Sequence, residues 1–497
     1  MIVISVTPLS YRISVGPNGQ LLGTTLFLRN YIRKFNHTGW DRRKGYSVIL
    51  ERYVHYDEKT LTLFVPRYDF DSFCQLLNAH EIAFKVEHVS LQVGHDVDIR
   101  LKPHVRDRDE RQTQTIAYLT TCPDSLRGVS LMPGSGKTYC AIKTSSILGK
   151  RTMVCVAGLI DQWKRSVLEF TTLTEDEIYV IQGSASMTKL LLQIDKTLFP
   201  KIILCSLGTV RNYALSKDTY ENYPPFTSLC DHLGVGVKVV DEAHLNFWAT
   251  MMIDLQTNAA VNIALTATFD RTDAQEKRFF DAHYPRLMRF GENEFDRYVD
   301  IYSYRYSLGG AVPAKAYRTI NGYNHSKFEE YLMRRSPNKL EYLFATVYSP
   351  AIFSHYVNRR KPGQKLLVLC ARIEMCRWLR DRLIKELPKS DNFNVDVYNS
   401  ENPDDSVLSD NDIIISTPGS AGTGTDIKDL LMVLMTIATG SDNTNKQTLG
   451  RLRVLKTGDA PQYVYTWCAD IIEHVRYEGR RRYTYQLRGK TFTEVNV

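Results

Sequence analysis

From residue 127 to 268, short uninterrupted apolar runs alternate with segments in which apolar residues return every three or four positions. The runs "GVSLM", "RTMVCVA", "EIYVIQ", "KIILCS", "VGVKVV" and "NIALTA" are too continuously apolar for a sheet with one wet face. They predict strands buried on both sides. Between them, "LIDQWKRSVLEF" spaces Ile160, Trp163, Val167 and Phe170 at helical intervals, which predicts an amphipathic helix laid on such a sheet. Strand and helix in alternation predict a parallel sheet covered on both faces. The pattern returns between residues 365 and 469 in "KLLVLCA", "NVDVYN", "DIIIST", "LLMVLMTIA" and "QYVYTWCA". The expected fold class is α/β, two parallel-sheet units joined through the irregular, Tyr- and Gly-containing stretch 297–330.

The first hundred residues follow another rule. "TTLFLRNYIRKF", "YSVILERYVHYDEKTLTLFVPR" and "FDSFCQLLNAHEIAFKV" read as a small α+β domain of strands and two helices, and the charged "KPHVRDRDERQTQ" separates it from the first α/β unit. At 497 residues the chain is too long for one ordinary core. The expected division is 1–105, 106–296, 297–470 and a basic Arg/Tyr tail, 471–497.

Composition narrows the classes. Hydrophobic residues at 43% and charged residues at 24% suit a soluble globular protein. No apolar run approaches the ~18 residues of a membrane span, and "MIVISVTPLSYRIS" lacks the basic start and long apolar centre of a secretory signal, so a cytoplasmic location is expected. Nine cysteines stand singly, without a CxxC pair or clustered histidines, which predicts reduced thiols and no zinc site. The net charge of +8 leans weakly toward a polyanionic partner. In the tail, "RYEGRRRYTYQLRGK" interleaves arginine with tyrosine, which fits either phosphate and base contacts or a solvated end.

Chemistry concentrates first in "SLMPGSGKT". A strand is expected to end at about Met132 and a helix to begin near Lys137. Gly134, Ser135 and Gly136 would let backbone N–H groups close on phosphate oxygens at the positive end of that helix. Lys137 would neutralise the β and γ phosphates, and Thr138 would offer its hydroxyl to Mg²⁺. Leu131 stands where the strict pattern has its first glycine. Farther on, "VKVVDEAHLNF" sets Asp241 and Glu242 after an apolar strand, at the sheet edge where open α/β folds bind ligands. Asp241 is placed to hold magnesium and Glu242 to orient the attacking water.

Phosphate loop "PGSGKT", "DEAH", "LTATF" and "QTLGR" occur in the order that resembles superfamily 2 helicases of the DEAH type, over nearly the whole chain from residue 106. The resemblance implies two tandem RecA-like lobes and ATP with Mg²⁺ as the motor's cofactors. It implies that Arg111 and Gln114 in "RQTQTIAYL" read the adenine, and that Gln162 and Ser206 touch the nucleic-acid backbone. "LTATFDR" resembles the segment that couples ATP state to strand grip through Thr266 and Thr268, with His244 of the DEAH box. "STPGSAGTGTDIKDL" looks like motif V, with Thr417 toward the strand and Gly424 and Asp426 toward the nucleotide. "NKQTLGRLRV" resembles motif VI, which implies catalytic roles for Gln447 and for Arg451 as an arginine finger. Its second arginine normally lies three residues after the first; here Val454 fills that place and Arg453 precedes it. On a helix that offset is ~100° of rotation, so Arg451 and Arg453 both stand as finger candidates.

The motor motifs do not fix the polynucleotide. The amino-terminal layout is similar to that of phage branch-migration helicases of the UvsW type, with a Trp40-Asp41 turn followed by Arg42 and Arg43, which implies that the domain 1–105 contacts DNA. Trp40 fits a core plug as well as a DNA contact. The resemblance implies a DNA motor for forks, junctions or displaced strands in phage replication, recombination or repair. No dimer surface or coiled-coil heptad stands out in the sequence, so a monomer is the default expectation. An RNA helicase or duplex translocase with the same core, and a nucleic-acid scaffold with a degraded ATP site, are the alternatives.

Overall fold

In the computed structural model the apolar runs become the strands of two seven-stranded, wholly parallel sheets, one in each of two compact units, Met1–Glu294 and Phe295–Val497. The described residues are all but 1, 15–21, 42–44, 58–60, 132–133, 159, 216–222, 268, 270, 272, 292–296, 321, 390–391, 400, 402–403, 405 and 422–426. Nine cysteines are unpaired thiols, and among the described residues no helix is long and apolar enough to cross a membrane.

In the first unit the sheet runs, in spatial order, Ile178–Ile181, Ile202–Ser206, Thr152–Val156, Val237–Val240, Val261–Thr266, Leu126–Ser130 and Arg289–Phe290. Helices on both sides bury it, which is why Thr152–Val156, Val237–Val240 and Leu126–Ser130 are buried at every position. Strand Val261–Thr266 lies between the strand that leads to the glycine loop and the strand that leads to Asp241. Three motifs therefore emerge from adjacent strands at one carboxyl edge. Lys238 is one charged residue buried within this sheet, and it is held by Asp254 at 2.6 Å and Thr257 at 2.7 Å, with His283 on the other Asp254 oxygen at 2.8 Å. Burial raises the Asp254 carboxyl, but Lys238 and His283 outweigh it and keep the group below its ordinary value.

The amino-terminal part of the same unit has a five-stranded sheet, ordered His55–Asp57, Thr62–Pro66, Ser10–Ser14, Ile2–Val6 and Phe84–His88. Helix Phe70–Ala79 covers it through the buried Phe73 and Leu77, and Tyr11 stacks on Phe73 at 5.4 Å. A separate antiparallel ribbon, Asn36–Asp41 with Tyr46–Arg52, follows helix Leu22–Ile32. This part is fastened to the parallel sheet's helices. Tyr53 is fully buried, with its ring 4.6 Å from Phe279 and 5.5 Å from Phe247, and such aromatic pairs add ~0.5–1.5 kcal/mol each beyond area burial. The Ser10 hydroxyl donates to the Leu255 carbonyl at 2.6 Å, and Trp248 Nε1 donates to the Arg52 carbonyl at 2.9 Å.

In the second unit the spatial order is Val395–Tyr398, Ile413–Ser416, Lys365–Leu369, Leu430–Met435, Gln462–Cys468, Asp300–Tyr306 and Thr491–Asn496. Two expectations are corrected here. The stretch 297–330 is not merely irregular: "DIYSYRY" is strand Asp300–Tyr306, flanked by partners on both sides. Its alternation of apolar with polar and hydroxylated residues hid it from a search for continuous apolar runs. The stretch 471–497, expected as a tail, is helix Ile472–Arg488 followed by an edge strand. That helix buries a polar face. Arg481 is 1% exposed, donates to the carbonyls of Thr439 and Ile437, and lies over the Tyr465 ring at 5.3 Å. Thr484 donates to Asp442 at 2.6 Å and Tyr485 to Asn445 at 3.1 Å, so the helix braces helix Asp442–Leu449.

Candidate functional site

The glycine loop leaves strand Leu126–Ser130 and ends where helix Lys137–Leu148 begins. The strand stops two residues before the expected Met132; the helix starts at the expected lysine. Gly134 and Gly136 have φ of 80° and 90°, the left-handed region that glycine enters without a Cβ penalty. At Gly136 a second constraint applies, because a Cβ there would lie 2.3 Å from Gln112 Nε2. Gln112 donates to the Ser135 carbonyl at 3.0 Å and accepts from the Arg108 N–H at 2.8 Å, while Arg108 donates to the Gly134 carbonyl at 3.0 Å. These bonds fix two loop carbonyls from one side, and turns of this kind present successive N–H groups to an anion on the other. Lys137 Nζ donates to the Leu131 carbonyl at 2.9 Å. Leu131 is buried in the apolar core, so the residue that departs from the glycine pattern still supplies the lysine's anchor.

Asp241 and Glu242 follow strand Val237–Val240. Their backbone is pinned, with the Asp241 N–H on the Cys155 carbonyl and the Ala243 N–H on the Leu265 carbonyl, each at 2.9 Å. Between these anchors Glu242 is forced to φ 50°; farther on, Asn246 has φ 48°. Such conformations cost non-glycine residues about 1 kcal/mol or more and persist where surrounding structure imposes them. Trp163 Nε1 donates to Asp241 Oδ2 at 2.8 Å, and the Glu242 N–H donates to Oδ1 at 3.0 Å. Burial and the adjacent Glu242 carboxylate push the Asp241 carboxyl up. Burial also raises Glu242, but Lys137 and His244 outweigh it and hold Glu242 ionised. His244 is buried, with Nδ1 2.7 Å from the Thr266 hydroxyl and 3.2 Å from Glu242 Oε2. Arg271 donates to the His244 carbonyl and pairs with Glu276, which extends the cluster into helix Ala274–His283.

This donor set would suit a divalent cation, which would supply positive charge beside the phosphates. Two adjacent carboxylates, one raised by burial and by its neighbour, would be relieved by positive charge. Thr138 is the second residue of the helix, beside the lysine, and is half-buried.

The other expected positions fall as follows. Gln114 is exposed and donates to Glu110 at 2.9 Å. It lies ~200° round the helix from Gln112, so the glutamine against the loop is Gln112, and Gln114 points elsewhere. Arg111 is half-buried. Gln162 is half-buried beside Trp163, and Ser206 ends strand Ile202–Ser206 at the same carboxyl edge as the glycine loop. Thr266 ends its strand fully buried; Thr268 lies outside the described residues. Trp40 lies in strand Asn36–Asp41, and its side chain, with Arg42 and Arg43, is outside them too.

In the second unit Thr417 follows strand Ile413–Ser416, its hydroxyl 3.2 Å from that of Ser420. Gly424 and Asp426 lie outside the described residues. Gln447 is half-buried in helix Asp442–Leu449. That helix ends before either arginine, so the helical rotation expected to separate Arg451 from Arg453 does not apply. After Gly450 the chain is non-helical; Leu452 is fully buried between a half-buried Arg451 and an exposed Arg453. The chain leaves the helix through a turn, in which the Arg451 and Leu452 N–H groups donate to the Thr448 and Leu449 carbonyls at 3.2 Å each.

Two residues escaped the sequence reading. Trp163 was visible only as part of an apolar stripe, and its indole N–H is what meets Asp241. Gln112 was one of two nearby glutamines, and the Asp109 N-cap, which accepts from the Gln112 N–H at 2.9 Å, fixes the helix phase that selects it.

No protein-family model matches the chain, and no curated protein matches it by sequence. Solved structures do. T4 UvsW is 13% identical, with 100% of this chain and 99% of that chain covered and a TM-score of 0.34. S. cerevisiae Dbp5 bound to RNA and ADP BeF3 is 14% identical over 78% of this chain and 89% of its own, with a TM-score of 0.48. The ATP-dependent type ISP restriction-modification enzyme LlaBIII bound to DNA is 12% identical and covers 86% of this chain, with a TM-score of 0.54. The matched region is 34% of LlaBIII, so this chain corresponds to about a third of that enzyme. The likeness to LlaBIII and the two parallel sheets show the fold: two tandem RecA-like lobes after a small α+β domain.

Proposed function

We propose that the protein is an ATP-dependent DNA helicase or translocase that remodels branched DNA by branch migration, fork regression or strand displacement. The observation that carries the reading is the meeting of the Lys137 loop, the Asp241–Glu242 pair and the Thr266 strand end on three neighbouring strands at one sheet edge. DNA is favoured because LlaBIII, whose fold this chain shares, was solved bound to DNA. Branched DNA and a phage setting rest on the order of motifs along the chain and its amino-terminal layout, as in helicases of the UvsW type.

Each residue then has a task. Lys137 leaves the Leu131 carbonyl for the β and γ phosphates, and the loop N–H groups hold their oxygens. Thr138 and Asp241 would hold Mg²⁺, which supplies charge neutralisation between the phosphates. Glu242, ionised, orients the attacking water and accepts its proton. His244 passes any shift of Glu242 to Thr266 through its 2.7 Å contact. Arg451 is the proposed arginine finger, with Arg453 as second candidate. Gln162, Ser206 and Thr417 are the proposed backbone contacts.

The test is ATP turnover without nucleic acid and with single-stranded, duplex, forked and four-way DNA, beside RNA controls. Branched DNA should stimulate most, and Lys137→Ala or Glu242→Gln should abolish the stimulated rate. Turnover unchanged in both variants would remove the ATPase assignment; greater stimulation by RNA would replace DNA as the substrate.

A further inference from the structure

Arg29, Arg33 and Arg52 converge on one cavity of about 520 Å³ in the amino-terminal part of the first unit, completed by Asn36, Ile32 and Ile49. The cavity lies where helix Leu22–Ile32 and the short turn Arg33–Phe35 meet the ribbon strands Asn36–Asp41 and Tyr46–Arg52. All three arginines are exposed, and among the described residues no carboxylate lines the space. Among the described residues none of the three forms an ion pair, although nearby Lys34 is neutralised by Asp69 at 2.7 Å. Arg29 and Arg33 taken alone could serve the negative end of the helix. Arg52 comes from a strand, so that explanation does not reach it.

We propose that this cavity is a second nucleic-acid site, in which the three guanidinium groups grip the phosphate backbone of the polynucleotide. The inference rests on the helicase reading above and extends it to residues that no motif marks. Arginine suits the task because its planar fork pairs with two phosphate oxygens at once. Three uncompensated cations around one space gain from a polyanion what a single surface arginine would not. The apolar part of the site has a matching use: Ile32 and Ile49, the latter 43% exposed, line the cavity. These give sugars and bases a surface while the arginines hold phosphates.

The walls of the cavity are also tied to the candidate ATP site. Gln275 donates to the Asn36 carbonyl at 2.8 Å and accepts from the Thr38 N–H at 3.1 Å. Next to Arg52, Tyr53 donates its hydroxyl toward Glu276 at 3.3 Å, and Glu276 pairs with Arg271, the residue bonded to the His244 carbonyl. Load on the ribbon therefore acts on the helix that follows "LTATF".

The experiment uses the full chain, with Arg33→Ala, Arg52→Ala and the double variant Arg33→Glu/Arg52→Glu. Binding of fluorescein-labelled single-stranded, duplex and forked DNA is measured across a salt series. Each guanidinium–phosphate pairing removed should lower the slope of log affinity against log salt by ~0.7–0.9. The double variant should bind at least tenfold more weakly at moderate salt. Thermal unfolding checks that it folds; should it not, Arg33→Lys/Arg52→Lys keeps the charge while losing the fork, and an intermediate loss of affinity supports the site. Affinity and salt slope equal to wild type in folded variants would overturn the assignment and leave an acidic protein surface as the cavity's ligand. If DNA stimulates wild-type turnover in that case, the helicase reading stands alone. If wild type neither binds nor responds to any polynucleotide, both readings fall together.

Discussion

Replacing Trp163 by phenylalanine removes one donor from the candidate metal carboxylate while keeping most of the ring that fills the core. The indole N–H sits 2.8 Å from Asp241 Oδ2, and the side chain is 3% exposed, so water cannot readily take its place. Hydrogen bonds to charged groups contribute about 1.5–3 kcal/mol, and ~1.4 kcal/mol is a factor of ten. The second Asp241 oxygen keeps its bond from the Glu242 N–H at 3.0 Å, which limits how far the carboxylate can swing. The lower end of the range therefore applies. Trp163→Phe should raise the Mg²⁺ concentration for half-maximal ATP turnover about tenfold, and excess Mg²⁺ should restore most of the rate. The assay is steady-state ATP hydrolysis at fixed nucleotide across a Mg²⁺ titration, with thermal unfolding to register the poorer packing separately. An unchanged Mg²⁺ half-saturation with a reduced maximal rate would refute the reasoning, since a residue that only packs has no reason to act through the metal.

Gln112→Ala strips the Ser135 carbonyl of its donor and frees the loop on one side, and a bond of this kind contributes ~0.5–1.5 kcal/mol. It should raise the KM for ATP several-fold and more than Gln114→Ala does; the reverse ranking in turnover assays would return the role to Gln114. In the second unit, burial lifts the Glu329 carboxyl to about 8 from an ordinary 4.5, while its oxygen accepts from the Ala371 N–H at 2.8 Å. His325, 3.7 Å away, is pushed down by burial to about 3 and stays neutral. The folded chain thus keeps a proton on Glu329 that the unfolded chain releases above 4.5, and the Glu329 contribution to stability falls by up to ~1.4 kcal/mol per pH unit until about pH 8. Glu329→Gln, uncharged throughout, should flatten that decline, so the Tm advantage of the variant over wild type should grow from about pH 5 to about pH 8. A Tm difference that does not change with pH would count against a buried, protonated Glu329.

Much of the architecture was legible because parallel sheets covered on both faces leave an unmistakable trace: "KIILCS" and "LLMVLMTIA" admit little other than buried strands. What escaped had a different physical basis. "DIYSYRY" is paired on both sides as those two runs are, yet Ser303 and Tyr304 satisfy their hydroxyls inside, on Glu478 at 3.1 Å and on His355 at 2.9 Å, so polarity does not mean exposure. The carboxyl-terminal helix defeats hydropathy for the same reason, because Arg481, Thr484 and Tyr485 are buried through hydrogen bonds and not through apolar area. At the candidate site, residue types and order pointed to the glycine loop, Asp241 and Glu242. Which glutamine meets the loop depended on helix phase. The end of helix Asp442–Leu449 ahead of Arg451 depended on where Gly450 stops it. Spacing alone could supply neither.

The second parallel sheet carries a burden of assembly. Strand Asp300–Tyr306 finds its two neighbours 162 and 191 residues later along the chain. During synthesis its edges must wait for almost the whole of the second unit to emerge, whereas the first sheet can already close. Pairings that distant form slowly and leave strand edges open to wrong partners in the interval. A ribosome stalled late in the message would thus release a finished first lobe attached to an unsealed second one. Protease cuts collected from such stalled chains should cluster after residue 294 and vanish only once the final strand has been added.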